Sequence, residues 1–270
     1  MRTRRLTGPA LGILAAFALG VSGCSDDGTS TTPGGNASAG TPTSAASSSA
    51  ADPAAASALA NAAAALDDTS FKMTLTSGPA VKMTGLMDAP NSRASATLKA
   101  TGPNTEVTVL TRLDGQDLYV QVPGVTKPST WTRIDVARLP EGANLGLRPD
   151  QIDPANTAQL LSSTTDVHQT GSGSYAGTLD LTKVAGVTGV DKVAVESYGA
   201  AAENVPFTAG LDPQGRLSAL TIQLPPVNGQ QSQPLEVLYT DYGVKVGDLR
   251  PDRASVVEAP EDLYETLGSR

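Results

Sequence analysis

Few residues of this 270-residue chain have side chains suited to catalysis. It contains one cysteine, Cys24, and one histidine, His168, which lies in a predicted strand between Val167 and Gln169. The sequence has no Gly-x-Ser-x-Gly elbow, no phosphate-binding Gly-rich loop followed by Lys-Ser/Thr, and no His-Glu-x-x-His motif. We therefore predict that the protein is not an enzyme, and we interpret His168 as a surface residue of its strand.

Adjacent acidic residues occur at three places, 26–27, 67–68 and 261–262. The first pair follows Cys24, the second closes a predicted helix, and the third lies in a polar tail, so general acid or base catalysis is disfavoured at each. No segment has the alternating oxygen ligands of a calcium-binding EF-hand loop. The sequence therefore predicts neither a metal site nor a cofactor.

The N-terminus has the pattern of a secretory signal peptide. Arg2, Arg4 and Arg5 precede an apolar run, residues 11–21, that is too short to span a bilayer stably. We expect residues 1–23 to be removed. Arg4 and Arg5 also suggest twin-arginine export, but polar or small residues follow where that signal needs apolar ones, so we favour the general secretion route.

The run ends in Val21-Ser22-Gly23-Cys24, which resembles the lipobox of bacterial lipoproteins. The resemblance implies that the Cys24 thiol receives a diacylglyceryl group and that Cys24 becomes the first residue of the mature chain. The alternative is a chance free cysteine behind an ordinary signal sequence. We expect a protein anchored by lipid to the outer face of the cytoplasmic membrane, in the cell envelope.

Composition narrows the partners of the mature chain. The sequence has 27 acidic residues against 19 basic ones, three of which belong to the predicted signal, so we expect no nucleic-acid partner. Residues 24–53 are mostly Ser, Thr, Gly, Ala and Pro, with almost no large apolar side chains, and we predict a disordered tether. It is a simple spacer or, since it is rich in Ser and Thr, a glycosylated one.

Residues 54–247 are predicted to form one domain, and residues 248–270 a C-terminal extension. An Ala-rich helix over 54–66 is opened by Asp52 and Pro53, and a second helix by Asp153 and Pro154. A short helical crossover is predicted within 182–198. A short docking helix is predicted near the C-terminus, where it packs on its own domain or, alternatively, binds a partner. Strands are predicted from alternating apolar residues over 71–75, 81–87, 94–101, 106–113, 117–122, 166–170, 175–181, 205–211, 216–224 and 235–242. The period changes after residues 131–134.

Helical segments interrupt this meander twice, which favours the α+β class over a sandwich. We predict one strongly curved antiparallel sheet of eight or more strands, with the helices on its concave face.

The order of elements and several local sequences resemble the mycobacterial LppX/LprA/LprF/LprG lipoproteins over most of residues 54–245. The matching segments are the lipobox at Cys24, residues 70–75, 114–119, the segment around Trp131, 153–161 and 175–181. The resemblance implies a half-open β-barrel closed by helices around a hydrophobic cavity, as in periplasmic lipoprotein carriers, holding acylated glycolipids or other multi-chain lipids. The long tether and the extension after residue 247 depart from that pattern.

We expect the cavity to be lined by apolar residues of the first four strands. Methionine side chains are flexible and suit an adaptable lipid site, and small residues such as Gly85, Ala94 and Ala96 leave volume beside them. Alternatively the same stripe is ordinary core, and the small residues seat the Ala-rich helix. The candidate cavity residues are Phe71, Met73, Leu75, Val81, Met83, Met87, Leu98, Val107 and Val109.

The sequence therefore predicts an anchored envelope lipoprotein that binds and transfers lipids or acylated glycolipids, with an envelope transporter as a protein partner. The alternative is a non-enzymatic interaction or sensor module of the envelope that keeps the fold and fills the cavity with side chains.

Overall fold

The computed structural model of the chain describes residues 52–102, 105–139, 147–149, 151–185, 192–226 and 233–268. The predicted signal peptide, Cys24 and the tether up to residue 51 lie outside the described residues. The described residues belong to one compact unit, which spans residues 50–270.

The first element is helix α1, Pro53–Ala64, as the sequence predicts. Asp52 caps it, since its carboxylate accepts a hydrogen bond of 2.9 Å from the Ala54 N–H, and Pro53 fits the first turn because it has no N–H to satisfy. The buried side is Leu59 with three alanines. These small side chains let α1 pack closely against helix α2, Thr157–Ser162, and against two strands of the sheet.

Twelve strands form one sheet that is not closed, with β12 and β7 at its two edges. In spatial order they run β12-β6-β5-β4-β3-β2-β1-β11-β10-β9-β8-β7. Their bounds are β1 Ser70–Ser77, β2 Val81–Asp88, β3 Arg93–Thr101, β4 Glu106–Asp114, β5 Asp117–Gln121, β6 Trp131–Asp135, β7 Thr164–Gly171, β8 Ser174–Leu179, β9 Val205–Leu211, β10 Leu217–Gln223, β11 Pro234–Thr240 and β12 Val256–Glu258.

The hairpins form where the sequence has turn residues. Between β1 and β2 the turn needs a left-handed residue, and Gly78 supplies it with φ +54°. Between β9 and β10 the Asp212 carboxylate accepts hydrogen bonds of 2.9 Å from the N–H groups of Gln214 and Arg216, which holds that turn closed.

Helix α2 begins later than predicted, at Thr157. The Asp153 carboxylate accepts hydrogen bonds of 2.9 Å from the N–H groups of Ala155 and Thr157, so residues 153–156 form a turn that leads into the helix. The predicted crossover contains a 3₁₀ segment, Leu181–Val184, and helix α3, Lys192–Tyr198, while residues 186–191 lie outside the described part.

The C-terminal segment, defined here as residues 248–268, contributes two elements. Strand β12 pairs in parallel with β6, so the prediction of a wholly antiparallel sheet is wrong at this edge. Three residues with two adjacent valines are too short to show strand periodicity in a sequence. Helix α4, Glu261–Gly268, confirms the predicted docking helix, and its Tyr264 is 6% exposed.

The fold is thus α+β and dominated by an open twelve-stranded sheet, with four α-helices among the described residues. No helix in the described ranges has the length and hydropathy needed to cross a membrane.

Candidate functional site

The nine predicted cavity residues lie on one face of β1–β4, which we call the apolar face. The antiparallel register places Met87 beside Phe71, Met83 beside Leu75, and Leu98 beside Met83. It continues across β4, where Val109 is paired with Leu98 and Val107 with Ala100. Because side chains alternate along a strand, residues joined by this register point to the same side of the sheet.

Burial changes along the apolar face. Phe71, Met73 and Met87 are at most 1% exposed, whereas Leu75 and Val81, nearer the β1–β2 turn, are half-buried. The remaining predicted residues are half-buried as well, namely Met83, Leu98, Val107 and Val109. The face therefore has a filled end, next to Phe71, and a partly exposed end, next to Leu98.

Aromatic side chains and helix α2 occupy the filled end. The ring of Phe71 lies 5.7 Å from that of Tyr239 and 5.8 Å from that of Tyr242. Tyr239 is 2% exposed, and its hydroxyl is hydrogen-bonded to the hydroxyl of Thr157 in α2. Burial strongly raises the pKa of Tyr239, so this phenol stays protonated and acts as a structural hydrogen-bonding group.

The small residues of β2 and β3 do not all leave free volume. A Cβ atom added at Gly85 would lie 2.7 Å from the Met87 side chain and 2.6 Å from the Ser95 carbonyl oxygen, so the methionine occupies the space above the glycine. Ala94 is fully buried, whereas Ala96 is half-buried. The main contacts of α1 are with α2, β7 and β10, on the other half of the sheet.

The opposite face of the same strands carries a groove that the sequence analysis did not predict, which we call the outer groove. Its volume is about 530 Å³, within the range of pockets for small ligands. Its walls are side chains of β1–β4, Trp131 of β6, and Asp248 and Leu249 of the C-terminal segment. In the sequence, the groove could be recognised only from polar residues that alternate with apolar ones, such as Lys72, Thr84, Ser95 and Thr97. This pattern is equally typical of a sheet face that is simply exposed to solvent.

Arg112 and Trp131 form one wall of the outer groove. The guanidinium carbon of Arg112 lies 4.5 Å from the centroid of the Trp131 ring, a cation–π contact. A guanidinium N–H of Arg112 also donates to the Leu249 carbonyl at 3.4 Å. Asp248 is paired with Arg250 at 2.7 Å, and this hydrogen bond lowers the pKa of the Asp248 carboxyl.

Two lysines face each other beyond the groove. Lys82 of β2 is the direct partner of Lys99 of β3, and both are exposed. The next cross-strand pair on the same face of the sheet is Thr84 with Thr97, which lines the groove. Among the described residues neither ammonium has a carboxylate within ion-pair distance, in contrast to Lys72, which pairs with Asp241 at 2.6 Å.

His168 lies on the edge strand β7, half-exposed, as expected for a surface residue. Its Nδ1 atom is 3.9 Å from the Asp166 carboxylate. Within the described ranges no cluster of three or more His, Cys, Asp or Glu side chains is placed to hold a metal ion. Cys24 lies outside the described residues, and its acylation stays a prediction from the sequence.

Comparison of the chain with models of protein families gives no match, and comparison with curated proteins gives none either. The proposals below therefore depend on the residues and their arrangement.

Proposed function

We propose that the protein is a membrane-anchored lipoprotein of the bacterial envelope that binds lipids or acylated glycolipids on the apolar face and transfers them. The observation that carries this proposal is the partly exposed end of that face. Leu75, Met83, Leu98 and Val109 lie side by side there without being fully buried. Covering a contiguous apolar surface of this kind with an acyl chain is favourable, because it removes apolar surface from water.

The expected free energy suits a reversible carrier. Burial of each methylene contributes about 0.8 kcal/mol, so about ten methylenes of one acyl chain give roughly 8 kcal/mol before the entropy lost on binding. The entropy lost on binding costs about 4 kcal/mol or more, so the affinity that one acyl chain gives is weaker than micromolar. A lipid held by burial alone can therefore be loaded and released, which transfer between membranes requires.

We further propose that the sheet is strongly curved, as a half-open barrel, with α1 and α2 on its concave face. Open sheets of more than about ten strands usually curl or split, which supports curvature in a sheet of twelve. The bond between Thr157 of α2 and Tyr239, a residue of the apolar face, supports the placement of the helices.

The lipid anchor on Cys24 and the predicted tether between it and α1 complete the proposal. Two or more acyl chains on one residue give stable membrane attachment, and a Ser/Gly/Ala-rich tether lets the domain move within its reach of the membrane. We propose that an envelope transporter loads or receives the lipid, and that the protein itself catalyses no reaction.

A second candidate function is an envelope interaction or sensor module whose cavity is filled. It is favoured by the filled end of the apolar face, where Met87, Ala94 and Leu113 are 0% exposed and leave no room for a ligand. The two candidate functions differ at the partly exposed end, where a carrier binds lipid and a filled module does not.

The test is native mass spectrometry of the full chain carrying Cys24→Ser, secreted by a bacterial host and purified without detergent from the culture medium. We expect co-purifying lipid, and we expect its loss when Met83→Phe and Leu98→Phe fill the exposed end. The matched control is Leu238→Phe, on the opposite face of β11 and 50% exposed, which keeps the lipid. If the Cys24→Ser chain carries no lipid, or if the Phe variants retain it, the carrier proposal fails and the filled module is favoured.

A further inference from the structure

The outer groove and the Lys82–Lys99 pair lie on the face of the sheet opposite the proposed lipid site. Like charges directly opposite each other on neighbouring strands destabilise a sheet. Neither lysine has a carboxylate partner within the described part of the chain that would offset this cost. A bound anion would remove the repulsion, so the pair indicates an anionic ligand.

The position of the pair indicates where the rest of that ligand lies. Successive residues on one face of a strand are about 7 Å apart, so an anion between the two ammonium groups is one step from the Thr84 and Thr97 hydroxyls. Hydroxyl groups donate and accept hydrogen bonds, as a polyol needs. Leu86 and Leu110 supply apolar surface between these polar groups, which suits the C–H faces of a sugar-like ring.

The charges around the groove agree with this arrangement. Arg112 adds a third cation. Among the described residues its guanidinium contacts the Trp131 ring and the Leu249 carbonyl oxygen. Asp248, the one carboxylate that the described residues place in the wall, is paired with Arg250 at 2.7 Å. Glu236 lies two strands away from Lys82 and accepts a hydrogen bond from Thr76 at 3.2 Å. Glu106 lies diagonal to Lys99 on the same face of the sheet, but among the described residues no ion pair joins a carboxylate to Lys82, Lys99 or Arg112.

We propose that the outer groove binds a phosphate-bearing polyol, with the phosphate between Lys82 and Lys99 and the polyol between the threonine hydroxyls and Trp131. Lysine ammonium groups bind phosphate as point charges. The ligand is either a free sugar phosphate or the headgroup of a phospholipid or phosphoglycolipid, since both present the same chemistry. This site does not depend on the proposed lipid carriage by the apolar face.

Trp131 is the only tryptophan of the chain, so its fluorescence reports on the groove directly. The full chain is titrated with glucose 6-phosphate, glucose and inorganic phosphate. A second series uses phosphatidylcholine vesicles that contain phosphatidylinositol or, at equal charge, phosphatidylserine. We expect a saturable change with glucose 6-phosphate if the ligand is free, or with phosphatidylinositol vesicles alone if it is a headgroup.

The variant Lys82→Gln/Lys99→Gln should weaken this binding roughly tenfold or more, because two charge-assisted contacts are lost. Removal of the like-charge pair should leave the variant at least as stable as the wild type in urea unfolding, which separates lost binding from lost folding. The matched control is Lys127→Gln/Lys245→Gln, which removes the same charge from exposed positions outside the groove.

Three results would overturn the proposal. The first is the absence of a saturable Trp131 response to both the soluble and the vesicle probes. The second is equal affinity in the Lys82/Lys99 variant and its control. The third is equal binding of inorganic phosphate and glucose 6-phosphate, or of phosphatidylserine and phosphatidylinositol vesicles, since simple charge attraction would then suffice.

Discussion

The hydroxyl of Tyr239, on β11, is hydrogen-bonded to the hydroxyl of Thr157, in α2, within the filled end of the apolar face. This bond joins a helix to the sheet through two buried side chains. Leaving one buried hydroxyl without its partner costs the desolvation of that group, about 1 to 3 kcal/mol.

The first prediction concerns this bond. Tyr239→Phe and Thr157→Val should each lower the free energy of unfolding by about 1 to 3 kcal/mol. The double variant should lose less than the sum, because the second substitution removes a group that the first left unsatisfied. Urea unfolding of the four proteins measures the coupling. Strict additivity would show that the two hydroxyls do not interact.

The second prediction is a pH dependence that originates at Asp153. Burial of its carboxyl group raises the pKa above the ordinary value of 3.8, and the charge of Asp67 raises it further, although hydrogen bonds from Thr157 and Ala155 oppose this. Because the folded-state pKa is the higher one, the folded chain holds the proton more tightly than the unfolded chain. The stability from this group is fully present below the unfolded-state pKa and is lost as the pH rises through the folded-state pKa.

Asp153→Asn should remove this contribution. As the pH rises from about 4, the unfolding free energy of the wild type should fall relative to that of Asp153→Asn. The difference between the two proteins should become constant above the folded-state pKa of Asp153. Urea unfolding over a pH series measures it. A difference that is the same at every pH would show that Asp153 titrates with an ordinary pKa.

The third prediction concerns the C-terminal segment. Tyr264 of α4 lies under the Arg138 guanidinium at 4.2 Å, and its hydroxyl accepts a hydrogen bond of 2.9 Å from the Asp135 N–H. Tyr264→Ala should therefore lower the unfolding free energy by about 3 kcal/mol, as for other large buried aromatic residues. Glu265→Ala, at an exposed position of the same helix, should change it by less than about 0.5 kcal/mol. Equal effects of the two would show that α4 is not docked through Tyr264.

The fourth prediction concerns the anchor. Cys24→Ser should release the protein from the membrane fraction into the culture medium, because serine cannot form the thioether to diacylglycerol, and lipid binding should be kept. Cell fractionation with immunoblotting measures the release, and Ser25→Ala, just outside the lipobox, should stay in the membrane fraction. Membrane retention of a Cys24→Ser protein from which residues 1–23 have been removed would contradict anchoring through this thiol.

Much of the sheet could be predicted because its strands alternate strictly and end at recognisable turns. The alternation of Phe71, Met73 and Leu75 with polar residues, followed by Gly78, defines a hairpin without any tertiary information. The start of α2 could not be placed, because Asn156 adopts a left-handed conformation with φ 51°, which asparagine tolerates but which its presence in a sequence does not require. Strand β12 was missed since three residues carry no measurable periodicity.

The outer groove could not be predicted for a different reason. Its wall depends on how residues 248–249 cross the sheet, held by Arg112 and by the pairing of Arg250 with Asp114 at 3.4 Å. Such contacts join residues more than 130 positions apart. The strand order of the apolar face was likewise hidden, because β1 pairs with β11 and not only with its neighbour in sequence.

This pairing of β1 with β11 has a consequence for how the chain reaches its folded state. On the general secretion route the chain crosses the membrane unfolded, so β1 emerges early and β11 near the end, and the middle of the sheet stays incomplete until residues 234–240 have emerged. Until then β1 and β10 each expose an unpaired edge, which is a template for aggregation. Such long-range pairing slows folding, so the growing chain needs protection from self-association during this interval.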